Sequence, residues 1–176
     1  MKTFNIKIKI AEYFFQNPSA RHRVRGLERT LKLPLPSIIR YCKELDKEGI
    51  LKKIDIEDVT FYSANKNNEE YLFQKKLFNI KQIHNSKLIE HLKKTLNNPV
   101  IILFGSYSKG EDDETSDIDL YIETTTKKID LKTFEKFFGK NIQIFTYKNI
   151  NEIPNKHLAN NILNGIVLNN YVEVLK

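Results

Sequence analysis

The feature that most narrows what this chain becomes lies just past its midpoint. Five consecutive apolar residues, Val100-Ile101-Ile102-Leu103-Phe104, run directly into Gly105-Ser106. An unbroken apolar run of that length, closed by glycine, reads as a short strand covered on both faces of a sheet. Ten residues then separate Ser106 from Asp117-Ile118-Asp119. From there Ile118, Leu120 and Ile122 alternate with Asp117, Asp119 and Tyr121, the period of a second strand over residues 117–124.

The spacing of the two aspartates has a chemical consequence. Residues two apart on a strand project from the same face, so the Asp117 and Asp119 carboxylates stand side by side. They repel one another unless a cation lies between them. Mg²⁺ or Mn²⁺ carrying a nucleoside triphosphate suits such a pair, because hard cations take oxygen ligands and keep substrate phosphates in their shell. Gly105 lets backbone approach a bulky anion with no side chain in the way. Ser106, Ser116 and the amides of a turn or short helix at 107–110 are candidate phosphate donors, and Lys109 is a candidate point charge. Tyr107 and Tyr121 flank the motif, either to stack on a base or to pack.

The stretch ILFGSYSKGEDDETSDIDLYIE closely resembles the DNA polymerase β-like nucleotidyltransferase superfamily, and within it the minimal nucleotidyltransferases of prokaryotes. The resemblance spans about residues 99–150. It implies transfer of a nucleoside monophosphate from an NTP, with ATP the expected donor, to a hydroxyl acceptor, releasing pyrophosphate. Asp117 and Asp119 would hold the metal and act as the catalytic pair. Many members carry a third carboxylate on the next strand. In Asn141-Ile142-Gln143-Ile144-Phe145 that position falls on Gln143, which is no base and a weak metal ligand. Either Glu123, Asp112 or Asp113 substitutes, or the enzyme relies on positioning alone, or the domain binds nucleotide without catalysis. In the last case the protein is a DNA-binding regulator with a degenerate, nucleotide-sensing transferase domain.

The front of the chain reads differently. Residues 3–16 have helical spacing and stop at Asn17-Pro18, after which residues 19–25 are polar and Arg-rich. A helix over about 24–31 is broken by Leu33-Pro34-Leu35-Pro36. A third follows, with Ser37 as its N-cap or as an early residue, and Gly49 ends it. Residues 50–64 read as two short strands joined near Glu57-Asp58. The run VRGLERTLKLPLPSIIRYCKELDKEGILKK resembles the winged helix-turn-helix domains of prokaryotic regulators. That resemblance implies contact with double-stranded DNA through Ser37, Arg40, Tyr41, Lys43 and Lys47 on the third helix, and Lys52 and Lys53 on the wing. Winged helices also serve as dimerisation or protein-docking modules, so a homodimer is the mild expectation.

The expected fold is therefore α+β: a winged helix-turn-helix over 1–65, a helical connector over 66–98 with a break near Asn85-Ser86, and a polymerase β-like nucleotidyltransferase domain with a small mixed sheet over 99–176. The last part also holds a helix at 130–138, a strand at 141–146, a helix at about 155–164 and a strand-like run at 166–174. Charge follows the same division. Lys and Arg exceed Asp and Glu by 13 to 8 in residues 1–65 and by 7 to 3 in 66–98, but acids lead by 11 to 9 in 99–176. A basic front and a slightly acidic back suit different partners: nucleic acid for one, and a nucleotide with an acceptor of protein, nucleic acid or small-molecule type for the other. The single cysteine, Cys42, forms no internal disulfide. No apolar run reaches the length of a membrane span, and the expected location is cytoplasmic.

Overall fold

The computed structural model describes residues 6–125 and 129–174. The chain divides into two compact units, Met1–Phe78 and Asn79–Lys176.

In the first unit α1 (Ile6–Gln16) buries Ile10, Phe14 and Phe15 on one face. The expected helix began at residue 3; residues 3–5 lie outside the described residues. Asn17 ends α1, its side-chain amide donating to the Tyr13 carbonyl at 2.9 Å. The polar, Arg-rich stretch contains a two-residue strand, β1 (Arg21–His22), which pairs antiparallel with β3 (Val59–Ala64). So short a strand has no periodicity to detect; only its partner defines it. α2 (Val24–Leu31) ends with Lys32 in the left-handed region, at φ 53°. α3 (Leu35–Lys47) starts two residues earlier than Ser37, with Pro36 in its first turn, where a missing N–H is harmless. Gly49 closes α3 at φ 78°; its N–H reaches the Asp46 carbonyl and that of Ile50 reaches Leu45, the two bonds of a Schellman motif. β2 (Leu51–Ile56) returns along β3 through Glu57, also left-handed at φ 52°. The sheet order is β1-β3-β2.

The core of this unit joins the three helices to the sheet: Ile10, Phe14, Leu27, Ile38, Cys42 and Leu51 are all fully buried. Each aliphatic or aromatic side chain withdrawn this way contributes about 1.5–3 kcal/mol before its ordering entropy is subtracted. Burial pushes the Cys42 thiol up to about 12, so it is an inert core group.

The division between units falls within α4 (Glu69–Asn85). α4 stops near Ser86, whose hydroxyl donates to the Ile83 carbonyl at 2.7 Å, and Lys87 is left-handed at φ 65° before α5 (Leu88–Thr95) begins. The second unit is built on a mixed sheet of β4 (Ile101–Phe104), β5 (Ile118–Glu123), β6 (Ile142–Tyr147) and β7 (Ile166–Asn169), in the order β6-β5-β4-β7. β5 and β6 run parallel; the other pairs are antiparallel. One face packs Ile101, Leu103, Ile118, Leu120 and Ile122 against Leu88 and Leu92 of α5. The other packs Ile102, Phe104 and Tyr121 against Ile150, Ile153 and Ile162, the last on α8 (Lys156–Leu163). Both faces of β4 are thus covered, which is what its unbroken apolar run reflects.

Several boundaries differ from the periodicity, among them the strand expected over 117–124, which is β5 from Ile118 and leaves Asp117 just before it. The helix expected from residue 130 is α7 (Lys132–Phe138), because Asp130 turns its carboxylate onto the Lys132 N–H at 3.1 Å. The strand-like run at 166–174 stops at Asn169: Asn170 is left-handed at φ 56° and its side chain donates to the Asn98 carbonyl at 2.6 Å, which ends the ladder.

Candidate active site

β4 delivers the chain into α6 (Gly105–Lys109), a single helical turn, and β5 returns beside it with Phe104 paired to Asp119. Gly105 has φ 72°, a conformation that side chains resist. The Asp119 carboxylate covers it so closely that a methyl group at residue 105 would lie 2.1 Å from Oδ2. The glycine of the turn and the second aspartate of the pair therefore share one site. Asp117 completes it. Its negative charge, together with burial as the larger cause, raises the Asp119 carboxyl above its ordinary range. Asn141 Nδ2 donates to Asp117 Oδ1 at 3.2 Å.

Ser106 is half-buried, and its hydroxyl has no protein partner among the described residues. Lys109 is exposed and without an ion pair among them. It lies three residues from Ser106, a spacing that puts both on one side of the turn. Ser116 is engaged within the loop: its hydroxyl donates to Asp113 Oδ1 at 3.0 Å and accepts from the Asp113 N–H at 3.0 Å. A cleft of about 330 Å³ opens beside Asp117, lined also by Ser116, Glu135, Lys140 and Asn141.

The three carboxylates considered as substitutes for the missing one are occupied elsewhere. Asp112 is buried and accepts from Asn79 Nδ2 at 2.7 Å. Asp113 caps its own turn, accepting from Thr115 and Ser116, which holds it at about 2. Glu123 accepts from the Tyr121 hydroxyl at 3.0 Å. Among the described residues no three His, Cys, Asp or Glu side chains gather where they would hold a metal ion. Gln143 is the parallel-strand partner of Asp119 and is exposed. The residues beside Asp117 and Asp119, Asn141 just before β6 and Gln143 within it, are thus both amides. Tyr107 and Tyr121 are buried core residues, at 4% and 0% exposure, so packing is their role and stacking on a base is not.

Residues 86–171 match the family model described as Polymerase beta, Nucleotidyltransferase. The C-terminal region is a nucleotidyltransferase domain. No curated protein and no solved structure matches the chain. The nucleotidyltransferase family generally uses an NTP and a divalent metal, and a nucleotide is its substrate. No helix of the described residues is long and apolar enough to cross a membrane.

Outside the nucleotidyltransferase domain, the residues expected to meet DNA differ in their surroundings. Lys43, Lys47 and Lys52 are exposed and have no ion pair among the described residues. Arg40 is exposed but stacks on the Tyr41 ring at 4.3 Å and pairs with Glu44 at 3.4 Å. Lys53 pairs with Asp55 at 2.8 Å. Ser37 and Tyr41 are half-buried. Three residues had no signal in the sequence: Asn79, Lys140 and Asn141 reach the motif from 24 or more positions away in the chain, and no local pattern encodes such a contact.

Proposed function

We propose that the protein is a Mg²⁺-dependent nucleotidyltransferase that moves a nucleoside monophosphate from an NTP, ATP first among them, to a hydroxyl acceptor. The observation that carries this reading is the seating of the Asp119 carboxylate over Gly105, with Asp117 beside it. The pair fits a hard cation: burial and the neighbouring Asp117 charge raise the Asp119 carboxyl, and two half-buried oxygen donors gain from a positive charge between them. Asp117 and Asp119 would hold the Mg²⁺, which when bound supplies charge neutralisation at the phosphate oxygens.

The rest follows from the chain's own groups. Gly105 admits phosphate close to backbone, and the Ser106 hydroxyl donates to a phosphate oxygen. Lys109 adds positive charge at the end of the same turn. Asn141 holds Asp117 in place. Gln143 takes no proton, so the domain contributes orientation of the acceptor hydroxyl rather than a third carboxylate.

The same proposal makes the N-terminal unit a winged helix-turn-helix. The order α1-β1-α2-α3-β2-β3, with β1 paired to β3, supports it. α3 would enter the major groove of double-stranded DNA, with Lys43, Lys47 and Lys52 the cations free to meet phosphate. Arg40 and Lys53 would first have to leave Glu44 and Asp55. A homodimer, a cytoplasmic location and a protein acceptor belong to this reading as well.

One observation favours a second reading. The pairing of Asp119 with Gln143 suits a domain that binds nucleotide without transferring it, leaving a DNA-binding regulator that senses nucleotide. A single experiment separates the two. The full chain and its Asp117→Ala/Asp119→Ala variant are incubated with each radiolabelled NTP, Mg²⁺ or Mn²⁺, and cell extract. Label transferred only by the wild type supports the enzyme. Nucleotide-responsive DNA binding with no transfer supports the regulator, and neither result would refute both.

A further inference from the structure

We propose that Lys140 is a positioning residue of this site: it fastens the loop 110–117 to the start of β6 and thereby sets where Asp117 stands beside Asp119. This rests on the reading of Asp117 and Asp119 as the metal-holding pair. The side chain of Lys140 is only 13% exposed. Its ammonium donates to the Asp113 carbonyl, and to the Ser116 carbonyl at 3.3 Å. It also lies 3.7 Å from Asp112 Oδ2, on a carboxylate that is 3% exposed. Ser116 immediately precedes Asp117, so this bond acts one peptide from a proposed metal ligand.

The connection extends further. Asp112 Oδ1 accepts from Asn79 Nδ2, and the same amide donates to the Tyr107 carbonyl at 2.9 Å. Tyr107 lies in α6 with Gly105 and Ser106. One polar chain therefore runs from the phosphate-binding turn, through Asn79, Asp112 and Lys140, to the peptide before Asp117. Both halves of the site are tied to it.

The loop needs such a tie. Residues 111–117 hold no helix or strand, and Glu111, Asp112, Asp113 and Glu114 stand next to Asp117 in sequence. Five carboxylates in seven residues repel one another and favour an opened loop. Lys140 supplies positive charge within it. An ammonium turns its three donors towards acceptors that converge on one point, whereas the planar fork of arginine does not.

The test uses the full chain, wild type against Lys140→Met and Lys140→Arg, with exposed Lys148→Met as control. Hydrogen exchange without ligand should show amides 111–117 of Lys140→Met exchanging about tenfold faster or more, while β4 and β5 keep their protection. Mn²⁺–ATP binding, followed by the electron paramagnetic resonance of free Mn²⁺, should weaken by about 10–100-fold. Lys140→Arg should recover part of both effects and Lys148→Met should match wild type. Unchanged exchange at 111–117, or equal loosening of the whole unit, would overturn the proposal. If Lys140→Met does not fold, Lys140→Arg and Asn79→Ala are read by the same exchange pattern. A wild type that transfers no label sinks the transferase reading alone, since Lys140 is judged by loop exchange in the free protein.

Discussion

The Asp119 carboxylate fills the space that any side chain at residue 105 would require. A methyl group there would meet Oδ2 at 2.1 Å, and the backbone stands at φ 72°. Gly105→Ala must therefore strain the turn and displace the acid together. The left-handed backbone alone costs about 1–2 kcal/mol for a residue with a Cβ. Urea unfolding should show a loss of at least that size, and nucleotide binding should fall with it. A variant as stable as wild type, with undiminished binding, would mean that Asp119 moves aside freely.

Asp119→Asn should separate stability from function. Burial and the neighbouring Asp117 both disfavour the ionised form of Asp119. Removing the charge should raise the melting temperature of the metal-free protein by a few degrees. Transfer should fall by about 10²–10³-fold, the usual effect of deleting a charge-stabilising group at a reacting phosphate or carbonyl. Calorimetry and the label-transfer assay measure the two outcomes independently.

The direction of that shift also predicts a pH dependence. The folded-state value of Asp119 lies above the ordinary aspartate value of 3.8. The ionised group is thus a cost to the fold at neutral pH, and proton uptake relieves the cost as pH falls through the raised value. The stability gap between Asp119→Asn and wild type should narrow in mildly acidic solution. Protons should also displace the metal at higher pH than an unperturbed aspartate would allow. Urea unfolding of the metal-free proteins and Mn²⁺ titrations, both between about pH 4 and 7, check the two outcomes in turn.

Gln143→Glu restores a carboxylate beside Asp119. Like charges on adjacent strands should lower the stability of the metal-free protein by about 0.2–1 kcal/mol. The added ligand should tighten Mn²⁺ binding and, if proton removal limits transfer, speed it about tenfold or more. Weaker metal binding would show that residue 143 points away from the pair.

On the N-terminal unit, Lys43→Glu, Lys47→Glu and Lys52→Glu should each weaken binding to duplex DNA of any sequence. Each lost phosphate contact should reduce the slope of log affinity against log salt by about 0.9. Lys53→Glu should matter less, because Lys53 is already paired with Asp55 at 2.8 Å. Fluorescence anisotropy over a range of salt concentrations gives the slopes. Equal affinities for all four variants and wild type would leave this unit a docking module.

The sequence by itself determined the parts whose cause is local. The apolar run Val100–Phe104 could only be a covered strand. Gly49 marks the chain reversal where left-handed backbone ends α3. The distance from Gly105-Ser106 to Asp117-Ile118-Asp119 is a property of the chain. Burial periodicity, backbone preference and motif spacing act over a few residues, so they can be read without coordinates. The tertiary structure decided everything that depends on register between distant segments. It put the Asp119 carboxylate on Gly105, gave β1 a partner in β3, and turned Asp112 inward to Asn79. It also brought Lys140 back across 24 positions to the Ser116 carbonyl. Those contacts exist because two strands align at one register rather than another, and that alignment is settled by the whole core at once.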